Sequence, residues 1–165
     1  MREMVYVSSG EVKVAGKETI LRSTPAGSCV VVAAYDRKKN IGAMAHIMLP
    51  GRSPKKSPEE TKYAADAIDR MIMMMTEAGA EKADIETCLA GAGNVLKRED
   101  DTICQANIDS VTSILKEKAI PVRAAALGGT TRRTVSMDVE NGCVSLAEGD
   151  EKEKTLWQPG GERFN

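Results

Sequence analysis

Apolar positions fall into short runs separated by polar turns, with two longer stretches at helical spacing. Residues 5–7 and 11–14 flank Ser8-Ser9-Gly10, and 19–22 lead into the polar segment 23–28, a pattern that predicts three short strands. Residues 29–35, CVVVAAY, and 41–49, IGAMAHIML, enclose the polar DRKKN. That arrangement predicts a β-hairpin. With its tip centred on Arg37-Lys38, Tyr35 faces Asn40, Val31 faces Met44 and Cys29 faces His46. Arg-Lys is a poor pair for a two-residue turn, so a longer loop with a bulge is the alternative, and it would shift the pairing by one residue and move side chains to the other face.

After Pro50 the chain is polar and proline-rich, and Ser57, Pro58 and Glu60 read as N-cap, first helical residue and capping box. Ala64, Ala65, Ile68, Met71, Ile72 and Met75 then recur on one helical face, and Gly79 can end the helix. The methionines at 71 and 73–75 are either core gap fillers or a partner-binding face. Residues 84–90 predict a strand running into Gly91-Ala92-Gly93-Asn94, which lacks the third glycine and the Lys-Ser/Thr pair of a nucleotide loop. A second amphipathic helix is expected over 103–118, with Ile108, Val111, Ile114 and Leu115 inward. Strands follow at 120–126, 134–139 and 143–146, the last two bracketing Asn141-Gly142 as a type I′ turn.

These elements describe one α/β domain of the layered α+β kind, spanning 1–147, with a mixed or antiparallel β-sheet core covered by two amphipathic helices. A polar tail, 148–165, follows, with Trp157 and Phe164 as its large apolar residues.

Charge narrows the possible partners. Lysine plus arginine, 23, nearly balances aspartate plus glutamate, 24, and three tyrosines, one tryptophan and one phenylalanine offer few rings for base stacking. No nucleic acid partner is expected. The N-terminal residues lack the apolar core of a signal peptide and no run is long enough to span a bilayer, so a cytoplasmic protein without membrane insertion is expected. Cys29, Cys88, Cys104 and Cys143 show no C-x-x-C spacing and share a single histidine. Free thiols are expected, with neither a metal nor a cofactor.

The chemistry converges on the predicted hairpin. A thiol needs a neighbouring imidazole to become a strong nucleophile and to protonate a leaving amine, and Cys29 with His46 would fill those roles. The turn before Cys29 carries Gly27 and Ser28, whose backbone N–H groups can converge with that of Cys29 on an oxyanion. A hydroxyl or carbonyl of the 23–24 turn is the nearest group to orient the imidazole. The alternative is that Cys29 and His46 simply pack in a strand pair.

The run GSCVVVAAYDRKKNIGAMAHIMLP resembles the signature of the CheD family, chemoreceptor glutamine deamidases of bacterial and archaeal chemotaxis. The likeness continues through YAADAIDRMIMMMTEAGA and GGTTRRTVSMDVENGCVSL. It implies Cys29 as nucleophile, His46 as general base and acid, and Ser23, standing where the family has threonine, as the group orienting His46. The implied reaction is hydrolysis of receptor glutamine side chains to glutamate through a thioester, with glutamate methyl esters as a further substrate class. The implied partners are the cytoplasmic domain of a methyl-accepting chemoreceptor and a CheC-type phosphatase. Cys104, Ala106 and Arg132 depart from the family pattern of glycine, arginine and glycine. A weakly catalytic module that regulates the phosphatase is the alternative reading.

Overall fold

The predicted hairpin lies at the centre of the molecule. In the computed structural model, which describes residues 2–159, β4 (Val30–Asp36) and β5 (Ile41–Ile47) are buried along their whole lengths. Each strand faces two cores, which is why its run is continuously apolar rather than alternating. Val30, Val32, Ala34, Ala43, Ala45 and Ile47 join one core; Val31, Ala33, Tyr35 and Met44 join the other.

Among the described residues the strands form two mixed five-stranded sheets. One sheet orders β2 (Val12–Ala15), β5, β4, β6 (Glu86–Gly91) and β7 (Val122–Leu127). The other orders β1 (Glu3–Val7), β3 (Thr19–Ser23), β8 (Arg133–Asp138), β9 (Cys143–Glu148) and β10 (Lys154–Trp157). Helices α1 (Ala64–Glu77) and α2 (Ile103–Glu117) pack on the first sheet through Ile68, Met71, Met75, Val111 and Leu115. The result is a three-layer α/β/β domain, an α+β class as expected, with two sheets where one was foreseen. No helix of the described residues is long and apolar enough to cross a membrane.

Several local expectations change. The hairpin pairs Asp36 with Ile41, Tyr35 with Gly42 and Val31 with His46. Its loop has four residues because the Asp36 carboxylate accepts from Lys38 N–H at 3.0 Å and Lys39 N–H at 3.4 Å, while Asn40 takes a left-handed φ of 52°. The register moves by two, which preserves the faces, so Cys29 lies diagonal to His46 and not opposite it.

Helix α1 begins at Ala64, without a side-chain cap. Ser57 and Glu60 shape a 3-10 turn instead, because the chain is drawn back onto the end of β5. Met48 and Leu49 N–H both donate to Lys62 O at 2.9 Å, which leaves Tyr63 extended. The first helical donors are satisfied by Leu49 O and Gly51 O. Gly79, at φ 114°, ends α1 as expected. Met71 and Met75 are core residues and Met73 is exposed.

The turn at 139–142 has four residues, since Asp138 pairs with Cys143, and only Gly142 has a positive φ. A type I′ turn needs two such residues. Ser8-Ser9-Gly10 carries the chain between sheets, so β1 pairs in parallel with β3. The expected tail contributes β10, and Trp157 is 6% exposed in the core between the sheets. Phe164 lies outside the described residues.

Candidate active site

Cys29 is the residue immediately before β4, half-buried on the side of the strand that faces the second sheet. The backbone around it is tied down in one sense and left open in the other. Gly27 O accepts from Gly93 N–H at 2.8 Å, Cys29 O from Ala92 N–H at 2.7 Å, and Ser28 O from the Asn107 side chain at 2.9 Å. Among the described residues no other residue accepts from the N–H groups of Gly27, Ser28 or Cys29. Beside the thiol the turn thus has three anchored carbonyls and three N–H groups without an acceptor on another residue among the described residues.

Two glycines make that anchoring possible. Gly91, at φ 121°, approaches so closely that an added Cβ would lie 2.2 Å from Cys29 O, and one on Gly93 would lie 2.5 Å from Thr131 O. The Gly-Ala-Gly segment is therefore a close-packing element. Arg133, 7% exposed, reinforces it by donating to Gly91 O at 3.0 Å and Gly128 O at 2.7 Å, and to the Glu148 carboxylate at 3.0 Å.

His46 is fully buried and held at both main chain and ring. Gly10 N–H donates to its carbonyl at 2.7 Å, and its own N–H donates to Glu11 O at 3.0 Å. Nδ1 lies 3.1 Å from Val7 O and 3.5 Å from Thr24 Oγ. A carbonyl only accepts, so Nδ1 carries the proton and Nε2 is the free base. Nε2 is buried with no hydrogen-bond partner among the described residues.

The two reactive groups share a face but do not hydrogen-bond to each other: the thiol is met by Ser9 and the ring by Val7 and Thr24. Burial pushes the Cys29 thiol above its ordinary value of 9.0, with the Ser9 hydrogen bond opposing. Burial lowers the His46 imidazole below 6.5, with the Val7 carbonyl and Glu11 opposing. Near neutrality the pair is therefore neutral thiol and neutral imidazole.

Ser23 has another partner. Its hydroxyl oxygen accepts from Val135 N–H at 3.0 Å, pinning β3 to β8, and the hydroxyl that reaches the imidazole belongs to Thr24.

A pocket of about 340 Å³ opens beside the turn, walled by Gly27, Ser28, Leu96, Arg98, Cys104 and Arg132 among others. Burial and the Asp101 carboxylate push Cys104 up to about 11, so this neighbouring thiol is the less reactive one. Another recess, about 210 Å³, lies at the hairpin tip beside Asp36, the far end of β4 from Cys29.

The 23–24 turn was foreseen as the source of the group beside the imidazole, with Thr24 and not Ser23 supplying it, whereas Val7, Ser9 and Asn107 were missed. Asn107 carried a signal, a polar residue on the apolar stripe of α2, whereas a backbone carbonyl such as that of Val7 carries none.

Fold and site together define a layered α+β protein that presents a half-buried thiol and a fixed, unprotonated imidazole nitrogen on one face of a central strand pair. A family model described as CheD chemotactic sensory transduction matches residues 48–148, and the chain belongs to the CheD family. It is 36% identical over 154 residues to a protein of Chlorobium luteolum named "Probable chemoreceptor glutamine deamidase CheD", covering 93% of this chain and 77% of that one. It is 30% identical over 162 residues to the "Chemoreceptor glutamine deamidase CheD" of Halalkalibacterium halodurans, covering 94% and 100%. Both alignments are long enough to take in much of the chain before residue 48. A solved structure of the Bacillus licheniformis hypothetical protein YfiH aligns with a TM-score of 0.43 at 14% identity over 70% of this chain and 51% of that one, a likeness on which no argument rests.

Proposed function

We propose that this protein deamidates glutamine side chains of chemoreceptors to glutamate by cysteine-dependent acyl transfer. Membership of a family whose relatives are named for that reaction carries the proposal, and the Gly27–Cys29 turn supports it. Cys29 attacks the amide carbon while its proton passes to Nε2 of His46, held in the basic tautomer by Val7 and Thr24. Because the resting pair is neutral, this transfer accompanies attack instead of preceding it. The oxyanion collects donors from Gly27, Ser28 and Cys29, and ammonia leaves with the proton returned by His46. Water then hydrolyses the thioester by the same groups. With methanol as leaving group the same path cleaves glutamate methyl esters.

The proposed substrate is the cytoplasmic domain of a chemoreceptor, and the proposed setting is the cytoplasm. The catalytic unit is proposed to span 1–147, with β10 closing the second sheet beyond it. A CheC-type phosphatase is the proposed second partner. The raised thiol favours a second reading, a module that chiefly regulates that phosphatase.

Incubation with a receptor cytoplasmic fragment, followed by peptide mass spectrometry, separates the two. Amide-to-acid conversion at defined glutamines, abolished by Cys29→Ala, is the expected result. No conversion, or equal conversion by the variant, rejects the enzyme reading. Intact phosphatase regulation by Cys29→Ala then favours the second.

A further inference from the structure

Asn107 sits on the apolar stripe of α2, three residues after Cys104 and four before Val111. It is 0% exposed, and its Nδ2 donates to Ser28 O at 2.9 Å and to Met48 O at 3.1 Å. Since both acceptors are carbonyls, only the amide nitrogen can face them, which fixes the orientation of the side chain. The other amide atom, Oδ1, is buried without a partner among the described residues. The side chain thus serves two main-chain carbonyls that an apolar residue would leave without this donor, while its own acceptor stays unpaired among the described residues.

The two bonds control a peptide plane. In a planar trans peptide the C=O of Ser28 and the N–H of Cys29 point in opposite directions. Drawing the carbonyl toward α2 therefore turns the N–H away from α2, and the Cys29 side chain packs with the core that faces the second sheet, whereas α2 packs on the other core. The carbonyls on either side, of Gly27 and Cys29, are held by Gly93 and Ala92, the two residues after β6, so Asn107 supplies the remaining tether from a different element.

We propose that Asn107 is a positioning residue that aims the Cys29 N–H at the oxyanion formed when the Cys29 thiol attacks a carbonyl carbon. The proposal rests on the reading of Cys29 as an acyl-transfer nucleophile. Its second bond, to Met48, fixes the same helix to the strand that carries His46, so one side chain sets the turn and the end of β5 in register.

Two small reagents test this without a receptor. With p-nitrophenyl acetate, the sulfur forms a C–S bond, the carbonyl electrons move onto oxygen, and collapse expels p-nitrophenolate to leave acetyl-Cys29. The thiol proton passes to His46. With iodoacetamide, the same sulfur displaces iodide from a saturated carbon and no oxyanion forms. The ratio of the two rates, with acetylation read as the p-nitrophenolate release that Cys29→Ala abolishes and alkylation read on the Cys29 peptide by mass spectrometry, cancels changes in thiol ionisation and access.

In Asn107→Leu the acetylation-to-alkylation ratio is expected to fall about tenfold or more, with alkylation itself within about twofold of wild type. Asn107→Ser, which can donate to one carbonyl, is expected to fall between, and it carries the comparison if the leucine variant fails to melt cooperatively. An unchanged ratio in a folded variant overturns the proposal, as does an equal loss of both rates. Failure of the wild-type protein to acetylate Cys29 rejects acyl transfer at this thiol and the proposal with it. An unchanged ratio beside normal wild-type acetylation rejects the role of Asn107 alone.

Discussion

Ser23 and Thr24 are adjacent hydroxyl residues with different partners, and the difference is measurable. Ser23 satisfies a buried backbone N–H, so Ser23→Ala is expected to destabilise the protein by about 1–3 kcal/mol while leaving the imidazole contacts intact. Thr24→Val keeps the shape but removes the hydroxyl beside Nδ1, and is expected to lower kcat with little change in denaturation midpoint. Chemical denaturation beside receptor-deamidation kinetics for both variants checks the assignment; a catalytic loss confined to Ser23→Ala would reverse it. The thiol makes its own prediction. Burial holds Cys29 above its ordinary value of 9.0, so iodoacetamide alkylation at this site is expected to keep accelerating beyond pH 9. A plateau near neutrality would instead reveal a preformed thiolate.

At the scale of elements, the site is made where the end of β6, the start of α2 and the lead-in to β4 meet. Gly91 is the tightest point of that junction. Gly91→Ala would press a Cβ into the Cys29 carbonyl at a backbone angle hostile to side chains, and is expected to cost about 2 kcal/mol or more, read as a lowered denaturation midpoint. Ser57→Ala is expected to change stability by less than about 0.5 kcal/mol, because Ser57 closes an exposed turn and does not cap α1. The existence of both helices and most strands was legible from periodicity, and so was the termination of α1 at Gly79. The start of α1 was not. A capping box is a local preference, and it lost to the pairing of Met48 and Leu49 with Lys62, which lies outside any local window. The hairpin loop failed for a related reason: the Asp36 carboxylate and the left-handed Asn40 together set a four-residue turn, and neither is decisive alone.

For the molecule as a whole, His46 is the only histidine and it is buried unprotonated. Its folded pKa lies below the 6.5 of an exposed imidazole, so below about pH 6.5 the unfolded chain binds the proton more readily than the folded one. Stability therefore falls on acidification through this window and gains nothing further from the group above it. Urea midpoints are expected to be lower at pH 5.5 than at pH 7.5 in the wild type, with the difference reduced in His46→Asn. An unchanged pH dependence would mean that the imidazole is not buried in solution.

The class of fold and the family are legible from the chain alone, because strand and helix periods and an uninterrupted motif are local properties. Cys29 and His46 stayed on one face even though the register moved, since a shift of two preserves the alternation of a strand. The division into two sheets, the hold of Val7 and Thr24 on the imidazole, the bond of Ser23 to Val135 and the reach of Asn107 to Ser28 from 79 residues away emerge from long-range packing. Those contacts join segments whose separation in sequence carries no period and no motif, and their donors and acceptors are largely backbone groups that every residue possesses.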